Sequence, residues 1–158
     1  MEPALNRVLR LWGSAPPPGE QALRDFRAVY ADPLLLNGSE VFVEELVFRA
    51  RVLHNAFVEV KFEVLTTVEA PGRTVAVFRQ QGRHVGPLPT PLGDLPGTRR
   101  VAETLVIDVL TIENDLITEV WAVGDELGRL MQLEALVSLA PRLAGPPDPP
   151  IDPADMAE

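Results

Sequence analysis

Apolar residues in the first third of the chain recur at helical spacing. Residues 3–12 carry one apolar stripe, which a glycine and a run of prolines end, and residues 19–30 carry a second. A third stripe begins after Ser39, a residue type that caps helices, and continues to about residue 56 with acidic residues in its first turns. Residues 34–36, between the second and third stripes, form a short apolar run. The pattern predicts three helices and one short buried strand.

The hydrophobic period changes from helical to two after the third stripe. Valine and phenylalanine alternate with charged residues over 58–64, which is typical of a half-buried antiparallel strand. Turn and loop residues divide the rest into strands over 73–84, 99–112 and 116–124, followed by a helix from Asp125 to about residue 140. Helices followed by long antiparallel strands predict an α+β fold. Its N-terminal helices would pack against a cone-shaped, curved antiparallel sheet with a pocket inside the cone.

Composition narrows the possible classes of function. The 158 residues, 46% of them hydrophobic, suffice for one domain, predicted over 1–144, and the Pro- and Asp-rich residues 145–158 are predicted to be a disordered tail. A net charge of −9 with scattered basic residues argues against nucleic-acid binding. With no cysteine and two distant histidines, disulfides and thiolate catalysis are excluded and a histidine-rich metal site is disfavoured. Neither a signal-peptide pattern nor an apolar run long enough to span a membrane is present, so a soluble, cytoplasmic protein is predicted.

The turn between the last two predicted strands suggests how their side chains pair. If the two residues at 114–115 form the whole turn, Asp108 lies opposite Trp121 and Thr104 lies opposite Asp125. Two carboxylates, a hydroxyl and an indole then share one face of the sheet, although a slip of one residue would separate them. An apolar pocket raises the pKa of a carboxyl group toward neutrality, so this cluster would support proton transfer.

Four further residues are candidates for the site. Tyr30, the only tyrosine, can supply a phenol donor near the short strand, and Asn37 can orient a substrate. His54 lies in the middle of a predicted helix, where a histidine with a satisfied hydrogen bond at the core edge is the favoured interpretation. His84 lies between two glycines, where it is either a pocket residue or a loop-edge residue bonded to the backbone.

The two aspartates also have structural interpretations. Asp108 interrupts the apolar run 106–110, and because a buried charge needs a partner it is either paired structurally or functional. Asp125 precedes the last predicted helix and can be its N-cap, a role compatible with catalysis. Trp121 is interpreted as core or pocket wall whatever the function.

Three sequence motifs together resemble a known family. Gly82-Arg83-His84-Val85-Gly86 stands where that family has Gly-Thr-His-x-Gly. The stretch 117–121 runs into Asp125-Glu126-Leu127-Gly128, and the family's usual ending is present as Leu130, Gln132 and Leu133. Over about residues 23–136 the chain resembles the SnoaL-like polyketide cyclases, within the nuclear-transport-factor-2-like and ketosteroid-isomerase-like superfamily of cone-shaped α+β proteins.

The resemblance implies a reaction, two site residues and an assembly. It implies an intramolecular aldol-type ring closure of a polyketide ester in secondary metabolism, with no metal and no cofactor, acting on a hydrophobic small molecule. It also implies that Asp125 is the acid/base, that His84 lies in or beside the pocket, and that the protein is a homodimer. The chain departs from the family at Val120, where a histidine is frequent, at residues 96–98 and at the turn 114–115.

Two other functions fit the same residues. One is an epoxide hydrolase or isomerase in which Asp108 and Asp125 activate a water between them. The other is a non-catalytic module that binds a small molecule, because cone-shaped folds also host such proteins.

Overall fold

A computed structural model describes residues 2–135, and within them four helices and six strands form an α+β fold. In chain order the elements are α1 Ala4–Trp12, α2 Glu20–Arg27, β1 Tyr30–Leu36, β2 Ser39–Val41, α3 Val43–Ala56, β3 Phe57–Ala70, β4 Arg73–His84, β5 Val101–Glu113, β6 Leu116–Gly124 and α4 Glu126–Gln132. The predicted tail, its boundary at residue 144 and the end of the predicted last helix lie outside the described residues. None of the helices within residues 2–135 is long and apolar enough to cross a membrane.

The six strands form one curved sheet in the order β2-β1-β6-β5-β4-β3. Neighbouring strands are antiparallel except β1 and β6, which are parallel. The first three helices pack on one face of this sheet, where Phe26, Leu110 and Ile117 are almost completely buried in a common core. The predicted α+β class, with helices against a curved and mostly antiparallel sheet, is confirmed.

The start of α3 differs from the prediction. Ser39 does not cap a helix; it pairs with Leu36 in a β1–β2 hairpin, whose Asn37-Gly38 turn has positive φ at both residues. The helix begins at Val43, whose backbone N–H donates to the carboxylate of Asp32 over 3.1 Å. The side chain of Asp32, eleven residues earlier in the chain, therefore takes the place of the predicted Ser39 cap.

The register between β5 and β6 also differs from the prediction, and this difference decides which side chains meet. The first two pairs after the turn follow the predicted register, but an extra residue, Thr118, then bulges out of β6. Beyond the bulge Asp108 pairs with Ala122 instead of Trp121. Because side chains alternate between faces, the extra residue places Trp121 on the outer face, where it is 49% exposed. The predicted clustering of Trp121 with Asp108 is wrong.

Candidate active site

A cavity of about 620 Å³ lies between the helices and the inner face of the sheet. That volume is typical of small-molecule sites. Most of its wall is apolar and includes Leu9, Leu34, Leu53, Phe78, Val106 and Val120. The side chains in the wall that can hydrogen-bond or carry charge are Trp12, Tyr30, Arg49, Gln80, Asp108, Glu126 and Arg129. No group of three or more potential metal-ligating side chains occurs within residues 2–135.

Asp108 is the buried acidic group of this cavity. It lies in the middle of β5 and pairs with Ala76 on one side and Ala122 on the other, so its neighbours across the sheet are small. The side chain is 9% exposed, and its Oδ1 has no hydrogen-bond partner among the described residues. Burial raises the pKa of Asp108 to about 6. The structural pairing that the sequence left open is not found in the described part of the chain, so the carboxyl group is available to a ligand.

Tyr30 places a phenol in the same cavity. It is the first residue of β1 rather than the end of a helix, because α2 ends at Arg27. The indole Nε1–H of Trp12 donates to the Tyr30 oxygen over 2.9 Å, which leaves the phenol proton free to donate to a ligand. Burial and, more weakly, the charge of Asp108 raise the pKa of Tyr30, so the phenol stays neutral. Tyr30 therefore lines the cavity, and its predicted role as a phenol donor to a substrate stays a prediction.

His84 lies beside the cavity rather than in its wall. The residue is fully buried, and its ring packs 5.3 Å from the ring of Phe57. Its Nδ1 accepts the backbone N–H of Thr98 over 3.1 Å, which joins the two ends of the loop between β4 and β5. This arrangement gives His84 a loop-holding role, and its predicted catalytic role stays a prediction.

Asp125 lies outside the cavity wall, at the exposed start of α4. Its Oδ1 accepts the backbone N–H of Gly128 over 2.8 Å, which is the N-cap interaction that the sequence offered as the alternative. A Cβ at position 128 would lie 2.2 Å from the Asp125 Oδ2, so the glycine makes room for the capping carboxylate. The predicted pairing of Asp125 with Thr104 is wrong, because the β5–β6 pairing ends at Val106 and Gly124.

Thr104 and Asn37, two further predicted site residues, pack or bond within the sheet and do not line the cavity. Thr104 is buried with 4% exposure, and it pairs with Gln80 on β4 without lining the cavity. The Asn37 amide is exposed and clamps the backbone of Ala122, accepting over 2.8 Å and donating over 3.2 Å. Neither of the two is brought together with Asp108 in the cavity wall.

His54 and Trp121 are likewise outside the cavity wall. His54 bonds the carbonyl oxygen of Trp12 over 2.8 Å through Nε2, which matches the favoured interpretation of a satisfied histidine at the core edge. That bond also helps to position Trp12, whose indole holds the phenol of Tyr30. The Trp121 indole donates to Glu119 over 3.0 Å on the outer face of the sheet.

The sequence profile of the SnoaL-like polyketide cyclases matches residues 19–133. The chain belongs to the SnoaL-like polyketide cyclase family. The resemblance seen in its motifs is thereby confirmed. A search of curated protein sequences found no match.

Solved structures support the fold of this SnoaL-like protein. TsrD from Streptomyces laurentii is 23% identical with a TM-score of 0.70, over 84% of this chain and 93% of that one. A SnoaL-like polyketide cyclase from Agrobacterium tumefaciens is 19% identical with a TM-score of 0.65, over 84% and 99% of the two chains. AclR from Streptomyces galilaeus, a proposed hydroxylase, is 15% identical with a TM-score of 0.65, over 84% and 94%. At these identities the likeness shows the fold alone.

The family motif around His84 has a packing role in this SnoaL-like chain. A Cβ at Gly86 would lie 2.2 Å from the carbonyl oxygen of Asn55, and one at Gly82 would lie 3.0 Å from the Phe57 Cβ. The two glycines therefore let β4 and the following loop approach the junction of α3 and β3 closely. The motif Gly82–Gly86, which carried the resemblance, therefore packs against the α3–β3 junction next to the cavity.

Sequence reasoning missed five of the polar or charged residues of the cavity wall: Trp12, Arg49, Gln80, Glu126 and Arg129. Gln80 follows Phe78 on the inward face of β4, so an amide at an inward position of an apolar strand was an available signal. Glu126 and Arg129 lie on α4, and the direction in which α4 packs gave no signal in the sequence. The guanidinium of Arg129 lies over the Phe57 ring, 5.6 Å from its centre.

Proposed function

We propose that this SnoaL-like protein is a cofactor-independent acid–base enzyme in which Asp108 moves a proton on a polyketide-like small molecule. The observation that carries the proposal is the buried Asp108 carboxyl group, which has an unpartnered Oδ1 and opens into a mostly apolar cavity. A pKa of about 6 lies close to neutral pH, so the group is basic enough to take a proton and acidic enough to return it.

The reaction that fits best is an intramolecular aldol-type cyclisation. Ionised Asp108 takes a proton from the carbon next to a substrate carbonyl, and the resulting enolate attacks a second carbonyl of the same molecule. One C–H bond breaks and one C–C bond forms, and the new alkoxide takes the proton back from Asp108. Isomerisation uses the same first step, with the proton returned to a different carbon.

Two neutral donors support this step. The phenol of Tyr30 and the amide of Gln80 both face the cavity, where either can donate to a carbonyl oxygen as it gains negative charge. Val120, at a position where the family often has histidine, adds apolar wall opposite Leu110. An apolar wall keeps water away from the enolate and keeps the pKa of Asp108 raised.

The position of Asp125 argues against one alternative function, the opening of an epoxide. Water activation between Asp108 and Asp125 requires both carboxylates at one site, but Asp125 is exposed and bonded to Gly128. We therefore favour cyclisation or isomerisation over epoxide opening. Binding without catalysis remains as an outcome of the test.

Proton exchange on simple ketones tests the proposal without the natural substrate. We expect the wild-type protein to accelerate deuterium exchange next to the carbonyl of 1-tetralone in D2O, followed by NMR. Asp108→Asn should lower the enzymatic rate by roughly 10²–10⁴-fold, because the positioned base is lost. Asp125→Asn, which keeps a capping side chain, is the matched control and should leave the rate unchanged. A wild-type rate in Asp108→Asn would refute the proposal, and binding of 1-tetralone without exchange would support the non-catalytic module.

We also propose that two copies associate through the outer face of the sheet. Leu105, Ile107, Trp121 and Val123 are all more than 40% exposed on β5 and β6. Contiguous exposed apolar surface of this kind is typical of protein interfaces. Light scattering of the wild type beside Ile107→Glu would measure the mass, and a wild-type monomer would contradict the proposal.

A further inference from the structure

A charged pair lies at one end of the cavity, on the first turn of α4. Glu126 and Arg129 are ion-paired there, and both line the cavity. The side chain of Arg129 is only 14% exposed, and its guanidinium stacks over the Phe57 ring. A guanidinium cannot lose its charge at ordinary pH, so its partial burial requires counter-charge and hydrogen-bond acceptors.

The hydrogen-bond capacity of Arg129 is largely unused. Among the described residues its guanidinium makes one hydrogen bond, from Nη2 to Glu126, and its buried Nε–H makes none. The buried Nε–H of Arg7 is likewise without a partner, but both of its Nη atoms are used: they donate to the Asp115 side chain and to the carbonyl oxygens of Asp115 and Ala28. The Arg129 guanidinium can therefore still donate hydrogen bonds to an oxygen atom of a ligand in the cavity.

A second guanidinium faces the same cavity. Arg49 on α3 is part of the wall, while its ion-pair partner Glu45 is not. Apart from Asp108, the wall thus holds two guanidinium groups and one carboxylate, that of Glu126. Since Arg49 is already paired with Glu45, the guanidinium with donors left for a negatively charged ligand group is that of Arg129.

Asp108 and the Glu126–Arg129 ion pair lie at different positions along the strands. Gly124 pairs with Val106, and a Cβ at Gly124 would lie 3.8 Å from the Glu126 Oε1. Val106 is two residues from Asp108 on β5, which corresponds to roughly 7 Å along the strand. Val106, an apolar residue of the cavity wall, therefore lies between Asp108 and Glu126 along the strand.

We propose that the ligand of this cavity is an apolar ring compound bearing a carboxylate, and that Arg129 binds this carboxylate while the rings extend toward Asp108. The proposal deepens the proposed function by naming a free carboxylic acid, instead of an ester, as the substrate class. Glu126 competes with the ligand for Arg129. Planar guanidinium–carboxylate pairing makes the contact selective for the acid over a neutral analogue of the same shape.

Binding of two probes of the same shape tests this proposal. We would titrate 2-naphthoic acid and 2-naphthamide into the intact protein at pH 8 by calorimetry. The wild type should bind the acid about tenfold more tightly than the amide. Arg129→Gln should remove that preference. Glu126→Gln should strengthen binding of the acid by roughly threefold or more and leave the amide unchanged, because the competing carboxylate is gone.

The controls separate this proposal from the proposed catalysis. Arg24→Gln removes an exposed arginine outside the cavity and should leave both affinities unchanged. Asp108→Asn should retain the preference for the acid whatever it does to proton exchange, so each proposal can fail alone. The carboxylate proposal is overturned if the wild type binds both probes equally or binds neither at millimolar concentration. It is also overturned if folded Arg129→Gln still prefers the acid, or if Glu126→Gln leaves binding of the acid unchanged.

Discussion

Asp108 and Asp125 lie on neighbouring parts of one hairpin, yet the fold gives them opposite surroundings. Asp108 is nearly enclosed in the middle of β5 and has an Oδ1 without a partner, and burial raises its pKa to about 6. Asp125 is exposed just after β6 and bonds the backbone of Gly128. Asp125, which belongs to the family motif, caps a helix. Asp108, which lies outside the motif, has the carboxyl oxygen without a hydrogen-bond partner. Burial, which the motif does not encode, therefore distinguishes the two carboxyl groups.

The bulge at Thr118 produces much of this contrast. Without the extra residue, Asp108 would pair with Trp121, and the inward side chains of β6 would change places with the outward ones. With it, Ala122 lies beside Asp108, Val120 joins the cavity wall, and Trp121 faces outward. One residue thus decides that Ala122, and not Trp121, lies beside the Asp108 carboxyl group.

The largest expected effect concerns stability. An ionised Asp108 is costly in its apolar site, so its pKa is higher in the folded than in the unfolded chain. Its destabilising effect therefore grows as pH rises from about 4 to about 6 and persists above that range. A shift from the ordinary value to about 6 corresponds to about 3 kcal/mol. Asp108→Asn, which stays neutral, should be more stable than the wild type at pH 8 by up to that amount.

Urea unfolding at pH 4, 6 and 8 measures this gain. The advantage of Asp108→Asn over the wild type should be small at pH 4 and almost fully developed by pH 8. Asp125→Asn in the same series reports the effect of removing one exposed carboxylate. A stability difference that stays constant between pH 4 and pH 8 would contradict the environment described for Asp108.

The pH dependence of proton exchange should show a smaller effect of the same carboxyl group. Asp108 must be ionised to accept a proton, so with a pKa of about 6 roughly a tenth of it is active at pH 5. The wild-type exchange rate should therefore fall about tenfold from pH 8 to pH 5. Asp125→Asn should show the same profile, and a flat wild-type profile would argue for a different base.

The sequence predicted most of the fold. The change of hydrophobic period located α3 and the long strands, and the turn at 114–115 located the last hairpin. Ser39 shows where local propensity failed, because pairing with β1 outweighed its preference for capping. The actual contact at the start of α3 comes from Asp32, eleven residues before Val43, and no local pattern contains it.

The site was harder to predict than the fold. Asp108 was recognisable as a charge within an apolar run, but its surroundings depend on the bulge, which no turn or glycine announces in Ile117-Thr118-Glu119. Arg129 reaches the cavity only because of how α4 packs, which is a tertiary property. Side-chain identity could be read from the sequence, whereas the face it occupies could not.

The smallest expected effect concerns the cap. Asp125→Ala should destabilise the fold by about 1 kcal/mol, since the Gly128 N–H loses its acceptor, and Asp125→Asn should retain most of that stability. Thermal unfolding measures both. Gly128→Ala sharpens the test, because an added Cβ would lie 2.2 Å from Oδ2 and displace the capping carboxylate. In the Asp125→Ala background that conflict is absent, so the same change should be stabilising through alanine's higher helix propensity. Equal effects of Gly128→Ala in both backgrounds would mean that Asp125 does not cap α4.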